Sequence, residues 1–348
     1  MRLKNTAASV AVIVLSCSIF AVSPYNAKLL ARYHGPPEFA FNGYQFLGWA
    51  AAIYTVLVAL YFAFDDEPTA SKSLRFFNVL GRLAREPVTT VRRGLDSGDR
   101  LAVLTTLLKG FFAPMMTVSL MVFCMGAWSN GAVIVHHGLL DGSFREFFDR
   151  AGFWMVMQAI LFLDVLVFTV GYLLESRRLG NQIRSVDPTL LGWGAALLCY
   201  PPFNAISGLL LGSQYSDFPQ FENSNVHLTL NLLLLALMAA YTSASLALGL
   251  KASNLTHRGI VTRGPYALIR HPAYVFKNMA WWIGSVPLLT LAFDKSPADG
   301  LQALASVVGT TLLYVLRALT EEDHLRTVDG TYAEYASRVR YRFIPGLL

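Results

Sequence analysis

The chain has 348 residues, of which 54% are hydrophobic and only 14% are charged. Soluble domains carry about 25% charged residues, so this composition argues against an ordinary soluble protein of this length. The net charge of +6 is spread between apolar blocks instead of forming one basic patch, which disfavours nucleic-acid binding and indicates membrane topology.

Eight apolar segments are long enough to cross a bilayer. About 20 apolar residues span the hydrocarbon core as a helix, and backbone in lipid must satisfy its own hydrogen bonds. We therefore predict an all-α, polytopic transmembrane bundle of about eight helices. In chain order the predicted helices lie near Ala7–Ser23, Tyr44–Phe64, Leu101–Trp128, Phe153–Leu174, Leu190–Leu211, Leu228–Leu250, Tyr274–Phe293 and Leu301–Leu319.

The first segment follows Arg2 and Lys4, a pattern that a cleaved signal peptide also shows. We favour a retained helix because lysine and arginine then alternate correctly between the loops. Basic residues are dense in 65–100, 176–188, 251–272 and the C-terminal tail, and sparse in the loops between these segments. Because basic loops stay on the cytoplasmic side, we predict a multi-pass integral membrane protein with both termini in the cytoplasm.

Two stretches within residues 1–250 deviate from plain apolar helix. The loop 65–100 mixes Leu74, Phe76 and Phe77 with basic residues, which favours an amphipathic helix on an anionic leaflet over a disordered basic linker. Pro201-Pro202 removes backbone donors inside the fifth predicted helix and should kink or break it.

Asp164 lies in the middle of the fourth predicted helix. An acidic side chain at that depth is costly and suggests a function, although a packing hydrogen bond to a neighbouring helix would also explain it. His136-His137 have no nearby acidic or cysteine partner, and no other segment shows metal-ligand spacing. We therefore predict no metal site.

The polar chemistry is concentrated in two C-terminal blocks, Gly264–Tyr274 and Arg317–Tyr335. The hairpin of predicted helices seven and eight separates them and returns the second block to the membrane face of the first. This topology predicts a shared site on the cytoplasmic side. The chain is accordingly divided into six membrane helices in 1–250, with the amphipathic loop, and a C-terminal hairpin and tail in 251–348.

The first block has the features of a helix start. Gly264-Pro265 is a turn signal, and Pro272 biases His271 away from helical angles, so helix seven should begin with Pro272 in its first turn. A helix N-terminus beside histidine and Arg270 suits an anionic group.

The second block places two adjacent carboxylates, Glu321 and Glu322, where helix eight leaves the bilayer. Their repulsion needs nearby cations, and Arg317, one turn earlier, can pair with Glu321. Carboxylates there can bind an amine, a ribose hydroxyl or a sulfonium. Tyr332 and Tyr335 share a helix face, which suits stacking on an adenine or anchoring at the interface.

The span Thr256–Pro345, about a quarter of the chain, resembles the C-terminal pattern of the isoprenylcysteine carboxyl methyltransferase and phospholipid methyltransferase superfamily. The matching residues are Gly264-Pro265-Tyr266, Arg270-His271-Pro272-Ala273-Tyr274, Glu321-Glu322-Asp323-His324-Leu325, Gly330-Thr331-Tyr332-Ala333-Glu334-Tyr335 and Ile344-Pro345. The resemblance implies a membrane enzyme that takes S-adenosylmethionine from the cytosol and methylates a lipophilic substrate entering from the bilayer.

The resemblance also implies site residues. The expected cofactor-binding residues are Gly264, Tyr266, His271, Pro272, Tyr274, Asn278, Glu321, Glu322, Tyr332 and Tyr335. From the chemistry of methyl transfer, the expected catalytic residues are Arg270, Arg317 and Glu322. Either Arg270 or Arg317 can orient an anionic acceptor, and either Glu322 or His271 can take a proton from an amine acceptor. One departure is Val275-Phe276-Lys277-Asn278, where many members of the superfamily have a small residue after the tyrosine.

The identity of the methyl acceptor stays open between a lipid amine, an isoprenoid or fatty carboxylate, and a quinone-like lipid. Two other functions also remain. One is an NADPH-dependent membrane sterol-type reductase, which has a related C-terminal pattern but needs room and basic groups for a second nucleotide. The other is a non-catalytic membrane scaffold or transporter that kept the hairpin.

Overall fold

The computed structural model describes residues 1–32, 41–64, 69–212 and 215–346, and 76% of the structure is helical over these described residues. The α-helices are α1 (Arg2–Val22), α2 (Pro24–Arg32), α3 (Gly43–Ala63), α4 (Lys72–Arg85), α5 (Pro87–Arg93), α6 (Ser97–His136), α7 (Phe144–Phe147), α8 (Phe153–Leu173), α9 (Leu190–Leu197), α10 (Asn204–Leu211), α11 (Ser224–Leu248), α12 (Pro272–Lys295), α13 (Pro297–Val328) and α14 (Thr331–Arg338). A π-helical turn spans Phe148–Gly152, 3-10 turns span Gly249–Lys251 and Gly264–Ala267, and two-residue strands lie at Ser185–Val186 and Thr256–His257.

Six helical spans among the described residues are long and apolar enough to cross a membrane. They are Arg2–Val22, Gly43–Ala63, Ser97–His136, Phe144–Leu173, Ser224–Lys251 and Pro297–Val328. On α3 the side chains of Ile53, Leu57 and Leu60 are exposed, as expected for a surface that lipid covers. These spans confirm the predicted all-α membrane protein.

The predicted count of eight crossing helices is not confirmed. The segment 190–211 forms the two short helices α9 and α10 with the break at Pro201-Pro202, because proline cannot supply the helical hydrogen bonds. Helix α12 has 24 residues, but it carries polar residues such as Lys277 and Asn278 and does not reach the same apolarity. The cytoplasmic orientation stays a prediction.

The chain forms two compact units, one of residues Met1–Met125 with Phe168–Val186 and one of Gly126–Val167 with Asp187–Leu348. The predicted functional boundary at residue 250 rests on motif positions and stays a prediction. In the first unit, α4 lies within the loop predicted to be amphipathic and packs against α1, with Val79 buried. Its contact with a lipid leaflet stays a prediction, and residues 65–68 of that loop lie outside the described residues.

A buried carboxylate ties three segments of the first unit together. Glu175, just after α8, accepts hydrogen bonds from Lys72 and from Lys109, the latter at 3.0 Å. Burial alone raises the pKa of Glu175, but the charges of Lys109 and Lys72 outweigh it and lower the pKa from 4.5 to about 2. The carboxylate is therefore ionised in the folded protein at all ordinary pH values.

In the second unit, α12 packs against both α11 and α13. The core beside these helices contains Phe153, Met157, Leu234, Met238 and Ala280. Helices α12 and α13 are joined at Ser296, whose hydroxyl accepts from Asp299 N at 3.0 Å, with Pro297 at the first helical position. This N-cap makes the hairpin turn short, so the end of α13 returns to the start of α12.

Candidate functional site

The start of α12 has the geometry that its sequence predicts. His271 is the N-cap residue and Pro272 occupies the first helical position. The backbone N–H groups of Arg270 and His271 donate to the carbonyls of Tyr341 and Arg342, each at 3.0 Å. The C-terminal tail therefore lies along the residues that open α12.

Glu322 is completely buried and surrounded by cations. Its Oε1 lies 3.1 Å from His271 Nε2 and 3.2 Å from Arg270 Nε. Its Oε2 accepts from Arg326 Nη2 at 2.8 Å and from Arg342 Nε at 3.1 Å. A buried carboxylate needs such partners to offset its desolvation, so this cluster fixes the tail, the start of α12 and the end of α13 to one another.

Glu321, the next carboxylate on α13, is more accessible, with 27% of its side chain exposed. The hydroxyl of Tyr274 donates to its Oε1, and Arg317 Nε lies 3.4 Å from the same oxygen. The predicted pairing of Arg317 with Glu321 is therefore present. Because Glu321 has fewer protein partners than Glu322, it is the carboxylate with capacity left for a ligand.

His271 stands between the two carboxylates. Its Nε2 faces Glu322, and its Nδ1 lies 4.0 Å from Glu321 Oε2. The imidazole stacks on the ring of Tyr274 with centroids 5.5 Å apart and planes 8° from parallel, and Phe343 lies 5.7 Å away on the tail. The two predicted polar blocks are thus brought together at one end of the hairpin.

Arg317 is buried among aromatic rings. Its guanidinium carbon lies 5.1 Å from the ring centroid of Tyr274, 5.6 Å from that of Tyr200 and 5.9 Å from that of Tyr314. Its Nη2 donates to Asn254 Oδ1. A cation between ring faces is stabilised by their quadrupoles, so the guanidinium is held in one position beside Glu321.

Two of the predicted site tyrosines, Tyr335 on α14 and Tyr266 in the turn before α12, are joined by a hydrogen bond. Tyr335 donates its hydroxyl hydrogen to the Tyr266 carbonyl at 2.9 Å, and Tyr332 and Tyr335 are buried with Val339. Burial raises the pKa of Tyr335 to about 12, and burial followed by the Glu321 charge raises the pKa of Tyr266. These phenols stay protonated as donors, and contact of Tyr332 and Tyr335 with a cofactor stays a prediction.

Gly264 and Asn278 lie at the edges of this region. Gly264 opens the 3-10 turn with φ +61°, a left-handed angle that glycine adopts without strain. Asn278 donates to the Tyr274 carbonyl at 2.8 Å, while its Oδ1 is buried without a hydrogen-bond partner. It lines a cleft of about 260 Å³, including space open to the surroundings, together with Trp281, Ser306 and Thr310.

Five residues that the sequence reasoning missed complete the two carboxylate clusters. They are Arg326 and Arg342 around Glu322, and Asn254, Tyr200 and Tyr314 around Arg317. Arg326 lies one helical turn after Glu322, so its pairing was readable from spacing alone. The other four depend on the path of the tail and on helix packing, for which the sequence carries no local signal.

The arrangement has two chemical parts. Both carboxylate oxygens of Glu322 are occupied by protein partners, which holds this cluster rigid. Glu321, beside Tyr274 and Arg317, offers a partly exposed carboxylate next to aromatic faces. Such a site can bind a cationic group through charge and ring contacts and hydroxyl groups through hydrogen bonds.

Residues 212–339 match the model of a family described as a protein of unknown function, DUF1295. The matched segment contains both polar blocks and the α12–α13 hairpin. The family is distantly linked to steroid 5-alpha-reductase-like and isoprenylcysteine-methyltransferase-like membrane proteins, and the match names no methyltransferase family. No curated protein and no solved structure matches the chain.

Proposed function

We propose that this chain is an integral membrane methyltransferase that uses S-adenosylmethionine to methylate a lipophilic acceptor. The observation that carries the proposal is the partly exposed Glu321 carboxylate, held by Tyr274 and Arg317 at the end of the hairpin where α12 begins. His271 and Tyr274 of the first polar block lie beside this carboxylate of the second block, and both blocks resemble the methyltransferase superfamily.

The residues present fit the chemical groups of this cofactor. S-adenosylmethionine supplies an electrophilic methyl group on a sulfonium, together with an ammonium, a carboxylate and ribose hydroxyls. Glu321 offers a charge partner for an ammonium or an acceptor for a hydroxyl, and the rings of His271 and Tyr274 offer faces to a cation. Arg317 offers a donor for a carboxylate.

The remaining residues of the site position these groups. Glu322 and its arginines hold His271, which in turn stacks on Tyr274, so the wall beside Glu321 is rigid. Methyl transfer is an in-line displacement that gains most from alignment and from exclusion of water. A rigid wall at the bilayer boundary serves both. We propose that this site faces the cytoplasm, as the distribution of basic loops favours.

Isothermal titration calorimetry tests the proposal. The purified full chain in detergent is titrated with S-adenosylmethionine and, separately, with NADPH. We expect saturable binding of S-adenosylmethionine, weakened at least about tenfold by Glu321→Gln, because a charge-assisted contact contributes about 1.5–3 kcal/mol. The matched control is Glu334→Gln on α14, whose side chain is 72% exposed. Tighter binding of NADPH would favour a reductase, and binding of neither would favour a non-catalytic protein.

A further inference from the structure

A second polar cluster lies further along α12, in the membrane part of the second unit. It consists of Asp164 on α8, Tyr241 on α11 and Lys277 on α12. The Tyr241 hydroxyl donates to Asp164 Oδ2 at 2.8 Å, and the Tyr241 ring centroid lies 5.2 Å from Lys277 Nζ. One tyrosine therefore contacts both a carboxylate and an ammonium.

One carboxylate oxygen of Asp164 and the ammonium of Lys277 lack hydrogen-bond partners among the described residues. Asp164 is only 5% exposed, and its Oδ1 has no partner, although Ser245 lies beside the carboxylate. Charged and unpaired polar groups at this depth are costly. A hydrogen-bond donor bound beside Asp164 Oδ1 would therefore be stabilised there.

The ammonium of Lys277 has hydrogen-bond donors without acceptors among the described residues. Its Nζ lies against the rings of Tyr241 and Trp281, at 5.2 Å from each centroid, and 6.0 Å from that of Tyr314. It donates no hydrogen bond to any residue that the structure describes. Ring faces leave the three N–H donors of an ammonium unsatisfied, so Lys277 calls for a hydrogen-bond acceptor.

The cluster adjoins the site at Glu321. Lys277 follows Tyr274 by three residues, so the two side chains lie on neighbouring parts of one helix face. The ring of Tyr314 lies 6.0 Å from Lys277 Nζ and 5.9 Å from Arg317 Cζ. A ligand group held at Lys277 would therefore lie beside the region assigned to the methyl donor.

The donor and acceptor requirements select one chemical class. A carboxylate suits Lys277 but would repel Asp164, and an alkylammonium suits Asp164 but would repel Lys277. A hydroxyl meets both needs, because its hydrogen can be donated to Asp164 Oδ1 while its oxygen accepts from Lys277 Nζ. We propose that Asp164 and Lys277 bind the hydroxyl of a lipophilic phenol or enol, an inference that rests on the proposed methyltransferase function.

The same contacts would assist transfer of the methyl group. As the hydroxyl oxygen forms its bond to the methyl carbon, the carbon–sulfur bond breaks and its electron pair stays on sulfur. The hydroxyl proton passes to Asp164 Oδ1, and Lys277 stabilises the negative charge that develops on the oxygen. The products are a methyl ether, a neutral thioether and a protonated Asp164, so charge and atoms balance.

Binding of four matched probes to the full chain in detergent, without cofactor, tests the assignment. The probes are para-dodecylphenol, para-dodecylbenzoate, para-dodecylbenzylamine and dodecylbenzene, and the readout is quenching of tryptophan fluorescence, to which Trp281 beside Lys277 contributes. We expect the phenol to bind at least tenfold more tightly than each of the others. Equal binding of all four, or tightest binding of the benzoate or the benzylamine, would overturn the proposal.

Variants locate the binding site. Asp164→Asn and Lys277→Met should each reduce phenol affinity at least tenfold, whereas the control Thr290→Val, on an exposed part of α12, should leave it unchanged. Thermal unfolding identifies any variant that fails to fold, in which case Asp164→Glu and Lys277→Arg replace it. Full phenol affinity in folded Asp164 and Lys277 variants would contradict the assignment.

The measurements distinguish failure of the hydroxyl-site proposal from failure of the proposed methyltransferase function. If the wild-type chain did not bind S-adenosylmethionine, the methyltransferase proposal would be overturned even if the phenol bound. Conversely, normal cofactor binding and methylation of the benzoate or the benzylamine, but not of the phenol, would overturn only the assignment of a hydroxyl acceptor. Formation of the phenol methyl ether, detected by mass spectrometry, would support both.

Discussion

His271 Nε2 lies 3.1 Å from Glu322 Oε1, although the two residues are 51 positions apart in the chain. The contact joins the first turn of α12 to the last turns of α13. It brings the two polar sequence blocks to one end of the hairpin and leaves the neighbouring Glu321 to face Tyr274. The candidate site therefore depends on a buried structural carboxylate and uses the adjacent, more exposed one.

Glu322, which the sequence suggested as a proton acceptor, is expected from its buried ion cluster to contribute mainly to stability. Glu322→Gln leaves three arginines around a neutral side chain, and breaking a buried ion cluster costs about 3–5 kcal/mol. We expect a clearly lower midpoint of thermal unfolding in detergent for this variant than for Glu334→Gln. An unchanged midpoint would show that the arginines around Glu322 do not need its charge.

The hydroxyl of Tyr274 is predicted to contribute to cofactor affinity and not to folding stability. Tyr274→Phe keeps the ring that stacks on His271 but removes the hydroxyl that donates to Glu321. Loss of a hydrogen bond to a charged group costs about 1.5–3 kcal/mol, so calorimetric titration should show weaker S-adenosylmethionine binding by at least about tenfold. Tyr341→Phe is the control, since Tyr341 contributes its backbone carbonyl to Arg270. Equal affinity in both variants would exclude the Tyr274 hydroxyl from the site.

Arg317 should not tolerate lysine. Lysine keeps the charge but lacks the planar fork that reaches Glu321 and Asn254 together while lying between aromatic rings. We expect Arg317→Lys to lower the rate of methyl transfer at least about tenfold, measured by radiolabel incorporation into lipid. Arg338→Lys, at an exposed position on α14, should retain the wild-type rate. Wild-type turnover by Arg317→Lys would mean that only the charge matters.

The hydrogen bond from Tyr335 to the Tyr266 carbonyl should hold the tail against the turn at Gly264–Ala267. Tyr335→Phe removes it at a cost of about 1 kcal/mol. Hydrogen–deuterium exchange should then become faster in residues 264–267 and 331–346 but not in α3. Unchanged exchange in the tail would show that the buried rings alone hold it.

Stability of the first unit should depend on pH through Glu175. Its pKa is about 2 in the folded protein and 4.5 ordinarily, so it binds protons more weakly when folded. The resulting stabilisation, of the order of 3 kcal/mol, is fully present above pH 4.5 and is lost as the pH falls toward 2. Thermal unfolding between pH 6 and pH 2.5 should show this loss in the wild type and a smaller slope in Glu175→Gln. Equal slopes would contradict the low pKa.

Features that depend on local sequence were predictable. Apolar length identified the six membrane-length spans, although it also counted 190–211 and 274–293 as crossings. Pro272 marked the start of α12, and Pro201-Pro202 marked the break between α9 and α10. The pairing of Arg317 with Glu321 followed from helical spacing. Each of these needs only the residues within one or two turns of a helix.

Features that depend on packing between distant segments were not predictable. Arg342 reaches Glu322 because the tail lies along the start of α12, and Tyr241 reaches Asp164 because of the register between α8 and α11. The sequence singled out Asp164 as unusual but named no partner. It also marked Lys277 as a departure from the superfamily pattern, and only the structure places it beside Tyr241 and Trp281.

Methyl transfer to a lipophilic acceptor is the activity that most directly distinguishes a methyltransferase from a reductase or a non-catalytic protein. Purified chain in proteoliposomes made from a bacterial or eukaryotic total lipid extract supplemented with para-dodecylphenol is incubated with S-adenosylmethionine carrying a deuterated methyl group. The lipid fraction is then analysed by mass spectrometry. We expect a labelled methyl ether that appears with wild-type chain, falls strongly with Glu321→Gln and persists with Glu334→Gln. No label in any lipid or phenol, despite folded protein and bound cofactor, would contradict the methyltransferase proposal.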